Sequence, residues 1–221
     1  MLYFTHIPKT AGSSFSNSYL KPEYKLNYFT PKGFKVFIRT SYPEKSCIHG
    51  HYPYGMHYFK PLKKHEYLIF FRDPVERCRS HYYFILQNKW HYDYKRISQT
   101  SLKEVFEDKS KIPYSALQSN LQTKFTAGFY YGFSGLFSDK IILDKAKKNL
   151  LNKYKGIGLQ EKFEESCQKF EKTFGWKQPI TETRFQKTNV KQELDSSTLM
   201  SIENHNQLDF ELYDFVVKNF F

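Results

Sequence analysis

Residues 67–80 read YLIFFRDPVERCRS, and the switch inside this stretch from apolar to charged residues decides the fold class. The run at 67–71 is short, continuous and apolar, the pattern of a central strand covered on both faces. A helix start follows at once. Asp73 is a good N-cap, Pro74 suits the first helical position, and Glu76 stands three residues after the cap. The helix is expected to run to about residue 88. A buried strand feeding a capped helix through one short loop is the repeating unit of an α/β protein.

Working outward, the same unit recurs. Residues 2–6 read as a strand, 7–12 as a loop and 13–19 as a helix. Residues 24–39 are mixed, with a strand expected at 35–38. A further strand is expected at 46–49, before a turn through Pro53 and Gly55. Helices are expected at 115–125 and 139–154, a strand at 156–159, a helix at 161–174 closed by Gly175, and a last helix at 197–219. The pattern predicts one α/β domain over residues 1–221, with a central, mostly parallel sheet flanked by helices. Ligands bind such sheets at the carboxyl ends of the strands, where the loops after Phe4 and Phe71 both lie.

Bulk properties narrow the class. A chain of 221 residues with 40% hydrophobic content, 22 Phe and 18 Tyr can bury a real core. With 10 Gly and 9 Pro there is little room for low-complexity linkers. The net charge of +12 suggests an acidic partner: nucleic acid, a membrane surface, a nucleotide or an anionic saccharide. Cys47, Cys78 and Cys167 have no paired spacing, so no disulfide framework or zinc pattern is expected, only buried reduced thiols. No long apolar stretch or signal-like start is present, so no integral membrane span is expected and the chain reads as cytoplasmic.

Two loops carry chemistry. The first, residues 6–14, reads HIPKTAGSS. Small residues Ala11 and Gly12 let an anion approach the backbone, Lys9 adds a charge, and Thr10, Ser13 and Ser14 add hydroxyl donors. That is the chemistry of a phosphate cradle at a helix start. It is not a Walker A loop, because Lys9 precedes Gly12. An ordinary strand-to-helix turn with a Ser cap accounts for the same residues taken alone. The second loop places Arg72 at a strand end and Ser80 eight residues on, with Arg77 on the same helical face as Ser80. A guanidinium and a hydroxyl suit the several oxygens of a phosphate. For Arg77 a surface pairing with Glu76 or another acid is an equal reading.

Both strings resemble those of the carbohydrate sulfotransferase family. HIPKTAGSS is similar to the loop that wraps the 5′-phosphate and sulfate of PAPS, 3′-phosphoadenosine-5′-phosphosulfate. RDPVERCRS is similar to the family's 3′-phosphate site, and the extension SHYYF resembles the heparan uronyl 2-O-sulfotransferase branch. The resemblance implies a P-loop-like three-layer fold and a sulfuryl transfer from PAPS to a hydroxyl, with no metal required. It implies that residues 9–14 (Lys9, Thr10, Ala11, Gly12, Ser13, Ser14) hold the 5′ end and that Arg72 and Ser80 hold the 3′-phosphate. Lys9 would contact the bridging oxygen that leaves.

Between the loops, residues 46–55 read SCIHGHYPYG. His49 and His51 are one residue apart, so in an extended chain they point the same way. Hydrogen-bonding histidines at a strand end explain such a pair, and no third metal ligand accompanies it. The string also resembles the one that bears the base in uronyl 2-O-sulfotransferases. That likeness implies His51 as base and His49 as its support or the alternative base. His6 and His81 receive structural readings. More weakly, residues 119–124 resemble a segment lining the nucleotide pocket, and Lys187 and Asn189 stand where related enzymes close a basic loop over adenosine. Trp90, Tyr92 and Tyr94 offer either a stacking surface for a sugar or a cluster packed on the sheet.

Two other classes compete. An ATP-dependent small-molecule kinase shares the phosphate chemistry but would need magnesium, and neither Lys/Gly order nor a Walker-B-type strand end favours it. A non-catalytic polyanion or nucleic-acid binder answers to the charge and predicts steep salt dependence without product. It leaves two ordered phosphate strings unexplained, so nucleic acid is not an expected partner. The expected partners are PAPS, its product PAP and a hydroxylated acceptor, which the resemblance implies is a saccharide.

Overall fold

The structure is a computed structural model and describes residues 1–61, 64–107, 119–128, 136–176 and 193–221. The chain runs β1 (Leu2–Thr5), α1 (Gly12–Phe15), a π-helical turn (Ser16–Leu20), α2 (Lys21–Tyr24), β2 (Tyr28–Phe29), α3 (Phe34–Arg39) and β3 (Cys47–Gly50). It continues with β4 (Glu66–Phe71), α4 (Pro74–Gln87), α5 (Tyr94–Ile97), α6 (Leu102–Glu107), α7 (Leu121–Ala127) and α8 (Asp139–Asn152). It closes with β5 (Tyr154–Leu159), α9 (Phe163–Phe174), α10 (Ser196–His205) and α11 (Gln207–Phe220).

The five strands form one sheet in the order β2-β3-β1-β4-β5, and every described pairing is parallel. Side chains alternate between its faces, and each face is covered. On one side Tyr3, Ile48, Tyr67, Ile69 and Phe71 pack with Phe37 of α3, Leu121 of α7, Ile142 of α8 and Leu212 of α11. On the other, Leu2, Phe4, Cys47, Leu68 and Phe70 pack with Phe15 of α1, Leu20, and Cys167 and Phe170 of α9. The result is three layers, helix on sheet on helix. A smaller core joins α4 to α6 and α10 through Cys78, Ile85, Val105, Phe106 and Ile202.

The order places the site. From β1 the chain crosses towards β2, whereas from β4 it crosses the other way to β5. The direction reverses between the neighbours β1 and β4, so a crevice opens at their carboxyl ends. The three cysteines are free and buried, as expected. Asp73 caps α4, accepting from the Glu76 amide at 2.9 Å, with Pro74 opening the helix.

Three expectations need correction. Residues 35–38 lie in helix α3, not a strand. The edge position beside β3 is filled by Tyr28 and Phe29, which pair with Cys47 and Ile48. Only Phe37 of α3 is then buried, while Phe34, Val36 and Ile38 stay exposed. The last helix is two helices, α10 and α11, divided at Asn206. That side chain donates to the Ile202 carbonyl and accepts from the Asn120 amide, ending one helix and tying the next to α7. The helix expected at 139–154 stops at Asn152, because Tyr154 already belongs to β5. Of the helix expected at 115–125, residues 115–118 lie outside the described residues, and α7 begins at Leu121.

Candidate active site

Three segments meet at the carboxyl edge of the sheet. The loop after β1 is held in an unusual backbone shape: Lys9 and Ala11 have φ of 70° and 69°, which non-glycine residues rarely adopt. Such alternation turns successive amides towards one point, the geometry of an anion nest. Thr10 is fully buried and its hydroxyl donates to the Ile7 carbonyl at 2.9 Å, so what it offers an anion is its backbone N–H. Ser13 and Ser14 are half-buried at the start of α1.

The second string reaches the first directly. Arg72 Nη1 donates to the carbonyl of Lys9 at 3.2 Å, while its backbone is locked to α7. The Arg72 amide donates to Gln122 Oε1 at 3.0 Å, and Gln122 Nε2 donates back to the Arg72 carbonyl at 2.8 Å. Arg72 Nη2 lies 3.6 Å from Glu76, which binds Arg79 more closely at 2.7 Å. The Arg72 Nε is buried and has no hydrogen-bond partner among the described residues. The Lys9 ammonium sits 4.4 Å above the ring of Phe84 from α4, a cation–π contact. Burial, and then the neighbouring Arg72 charge, push the Lys9 amine down to about 8. Burial also lowers Arg72 from its ordinary value. Two cations crowded in a half-dry crevice is an arrangement that an anion relieves.

Arg77 differs from the surface reading. It is fully buried, its Nη2 donates to Cys78 Sγ at 3.3 Å, and it lies within electrostatic reach of buried Asp209. Asp209 accepts from the amides of Gln122 and Thr123 and from the Thr123 hydroxyl at 2.7–3.1 Å. Burial raises its carboxyl from the usual value, against the pull of Arg77. Asp209 therefore holds α7, and through Gln122 the Arg72 strand end, in place. Ser80 is buried on α4 beyond Arg77.

The histidines form one column. The parallel register sets Phe4 beside His49 and Thr5 beside Gly50, so His6, His49 and His51 share a face. Ring centroids of His6 lie 4.8 Å from His49 and 4.6 Å from His51. His49 is engaged at both nitrogens: Nδ1 meets the Tyr28 hydroxyl, and Nε2 lies 2.8 Å from His6 Nδ1. Burial, then His51 and Lys21, bring His49 down to about 3, so it stays neutral. His51 is exposed, and its Nδ1 lies 2.7 Å from the His6 carbonyl. A carbonyl only accepts, so Nδ1 carries the proton and Nε2 of neutral His51 has the free lone pair.

Several residues escaped the sequence reading. His6 sits in the column, and Gly12 touches it: a β-carbon there would stand 2.0 Å from His6 Cδ2. The register of β1 on β3 is the signal that would have found His6. His81 is buried, within electrostatic reach of Lys9 and His51, and its Nδ1 has no hydrogen-bond partner among the described residues. Trp90 and Tyr92 do not pack on the sheet, being 96% and 72% exposed, and Tyr94 is half-buried. His91 stacks on Tyr92 at 4.4 Å and lies 5.9 Å from Phe84, which links this aromatic turn to Lys9. Lys187 and Asn189 lie outside the described residues. Among the described residues, no group of three or more His, Cys, Asp or Glu side chains is arranged to hold a metal ion, and no helix is long and apolar enough to cross a membrane.

No family model matches the chain. Among curated proteins it is similar to heparan sulfate 2-O-sulfotransferase 1 of Homo sapiens and of Pongo abelii. Each is 26% identical over 258 aligned positions that cover the whole of this chain and 70% of the relative.

Proposed function

We propose that this chain is a sulfotransferase that moves a sulfuryl group from PAPS to an acceptor hydroxyl on a saccharide, with a P-loop-like arrangement of the donor site. The observation that carries the reading is the 3.2 Å bond from Arg72 to the Lys9 carbonyl. It joins two strings, each of phosphate-binding type, at the crevice where an α/β sheet binds nucleotides. The similarity to heparan sulfate 2-O-sulfotransferase 1, over the whole of this chain and 70% of the relative, supports both the reaction and a glycan as acceptor.

The residues present fit a donor with phosphate at both ends of its ribose. PAPS, when bound, supplies the sulfuryl group and a phosphate leaving group. The amides of residues 9–14 and the Lys9 ammonium face the 5′ end. Arg72, whose Nε has no partner among the described residues, and Ser80 take the 3′-phosphate. Fixing both ends sets the line of attack.

His51 accepts the acceptor's proton at Nε2, the nitrogen its backbone bond leaves free. His49, with both nitrogens occupied, supports the column instead. As the acceptor oxygen bonds to sulfur, the bond from sulfur to the bridging oxygen breaks. Charge then grows on the departing phosphate, where Lys9 and the loop amides stabilise it as it develops. The exposed Trp90 and Tyr92 present flat apolar faces on which a sugar ring can stack.

The test is transfer of radiolabelled sulfate from PAPS to desulfated heparan and related glycans. Wild type transfers label, His51→Ala loses most turnover while still binding PAP, and His49→Gln retains more activity than His51→Ala. Absence of transfer to any glycan, with phosphate transfer from ATP and magnesium instead, would replace this reading with the kinase one.

A further inference from the structure

His6 is the deepest of the three imidazoles and is 9% exposed. Its Nδ1 lies 2.8 Å from His49 Nε2, and His49 Nδ1 in turn meets the Tyr28 hydroxyl. The Ser16 hydroxyl stands beside that junction, 3.3 Å from His49 Nδ1 and 3.4 Å from its Nε2. Among the described residues, His6 Nε2 has no hydrogen-bond partner. A β-carbon built on Gly12 would lie 2.2 Å from this nitrogen, so Nε2 rests against the bare α-carbon of Gly12, inside the first loop.

Two proton arrangements satisfy this chain. In one, Tyr28 donates to His49, His49 donates to His6, and His6 carries its proton on Nε2. In the other every bond runs backwards and Nε2 presents a lone pair. An anion in the loop selects the first, because an N–H and not a lone pair must face it. Burial raises the Tyr28 phenol to about 12, so it keeps the proton it donates. His6 itself stays neutral, pushed well down by burial and then by His51, His49 and Lys9.

Resting on the sulfotransferase reading, we propose that His6 is a further ligand of the donor's 5′-phosphate end. It presents Nε2–H beside Gly12, with the proton's place fixed from behind by His49 and Tyr28 as positioning residues. The column thus does two jobs. The His6 carbonyl orients the base, and the His6 ring meets the donor.

The experiment is calorimetric binding of PAP and of 3′-AMP, which lacks the 5′-phosphate, to wild type, His6→Leu, His6→Gln and Tyr28→Phe. Nitrogen-15 NMR of histidine-labelled wild type with PAP reports the His6 tautomer. His6→Leu is expected to weaken PAP by about tenfold or more, the usual effect of a hydrogen bond to a charged group, and to leave 3′-AMP unchanged. His6→Gln, whose amide can reach the same place, recovers most of the loss. Tyr28→Phe weakens PAP alone, by less than His6→Leu. In the PAP complex His6 shows the Nε2–H pattern. Equal weakening of both nucleotides, unchanged PAP affinity in His6→Leu, or an Nδ1–H tautomer in the complex would overturn the role of His6 while leaving the donor reading intact. A wild type that binds neither nucleotide overturns the donor reading itself, and this inference with it.

Discussion

Gly12→Ala tests whether the first loop and the histidine column are one packed unit. Gly12 does not have the positive φ that reserves a position for glycine. Its constraint is contact, since an added β-carbon would lie 2.0 Å, 2.2 Å and 2.8 Å from three atoms of the His6 ring. Heavy atoms do not approach that closely, so the ring must move. It is held by its bond to His49 and packed on Phe4 at 5.7 Å. Overpacking of this kind costs about 1–3 kcal/mol. Breaking the His6–His49 bond in a buried place adds about 1–3 kcal/mol. A total near 3 kcal/mol lowers the melting temperature of a chain this size by roughly 6–12 °C. Calorimetric melting measures this, and PAP binding should weaken in parallel. In a His6→Ala background the clash partner is gone, so the same substitution should cost roughly 1 kcal/mol or less, a large departure from additivity. A wild-type melting temperature in Gly12→Ala, or equal costs in the two backgrounds, would refute the reasoning.

Two further predictions concern other parts of the site. With the Lys9 amine at about 8 in the free protein, the ammonium form is present below that pH and lost above it. The kcat/KM for PAPS should therefore fall as pH rises through about 8, and Lys9→Arg should remove that limb from the pH profile. Below that pH Lys9→Ala should lower kcat/KM by on the order of 10²–10³, as loss of a charge-stabilising donor does, and the gap to wild type should narrow above it. Asp209→Ala removes the acceptor for two α7 amides and the Thr123 hydroxyl and leaves buried Arg77 without its neighbouring carboxylate. Leaving the two amides and the hydroxyl buried without an acceptor costs about 1–3 kcal/mol each, so urea unfolding should shift markedly. An unchanged midpoint would show that Asp209 does not organise α7.

Much of the architecture was legible because it depends on local signals. The apolar run at 67–71 and the Asp73-Pro74-Glu76 cap fixed β4 and α4 in place, and Gly175, with φ of 70°, closes α9 where expected. The failures share a cause. Residues 35–38 have a strand-like composition, but which segment takes the edge beside β3 depends on pairing with Cys47 and Ile48, a long-range matter. Asn206 breaks the last helix through its bond to Asn120, 86 residues away. In the site, His49 and His51 were read from their own spacing. His6 was not, because its place beside them follows from the register of β1 on β3. For Arg77 a surface pairing stood beside a phosphate-facing role, and its burial was not foreseen because nothing local announces that Asp209 waits in the core. Contacts that span the chain carry the burial of charge, and periodicity is blind to them.

The central claim is a donor site for PAPS, and calorimetric titration of PAP into wild type and Arg72→Ala, with no added metal, tests it most directly. The account predicts micromolar binding to wild type that collapses in the variant. Failure of wild type to bind PAP, or equal binding by Arg72→Ala, would contradict it.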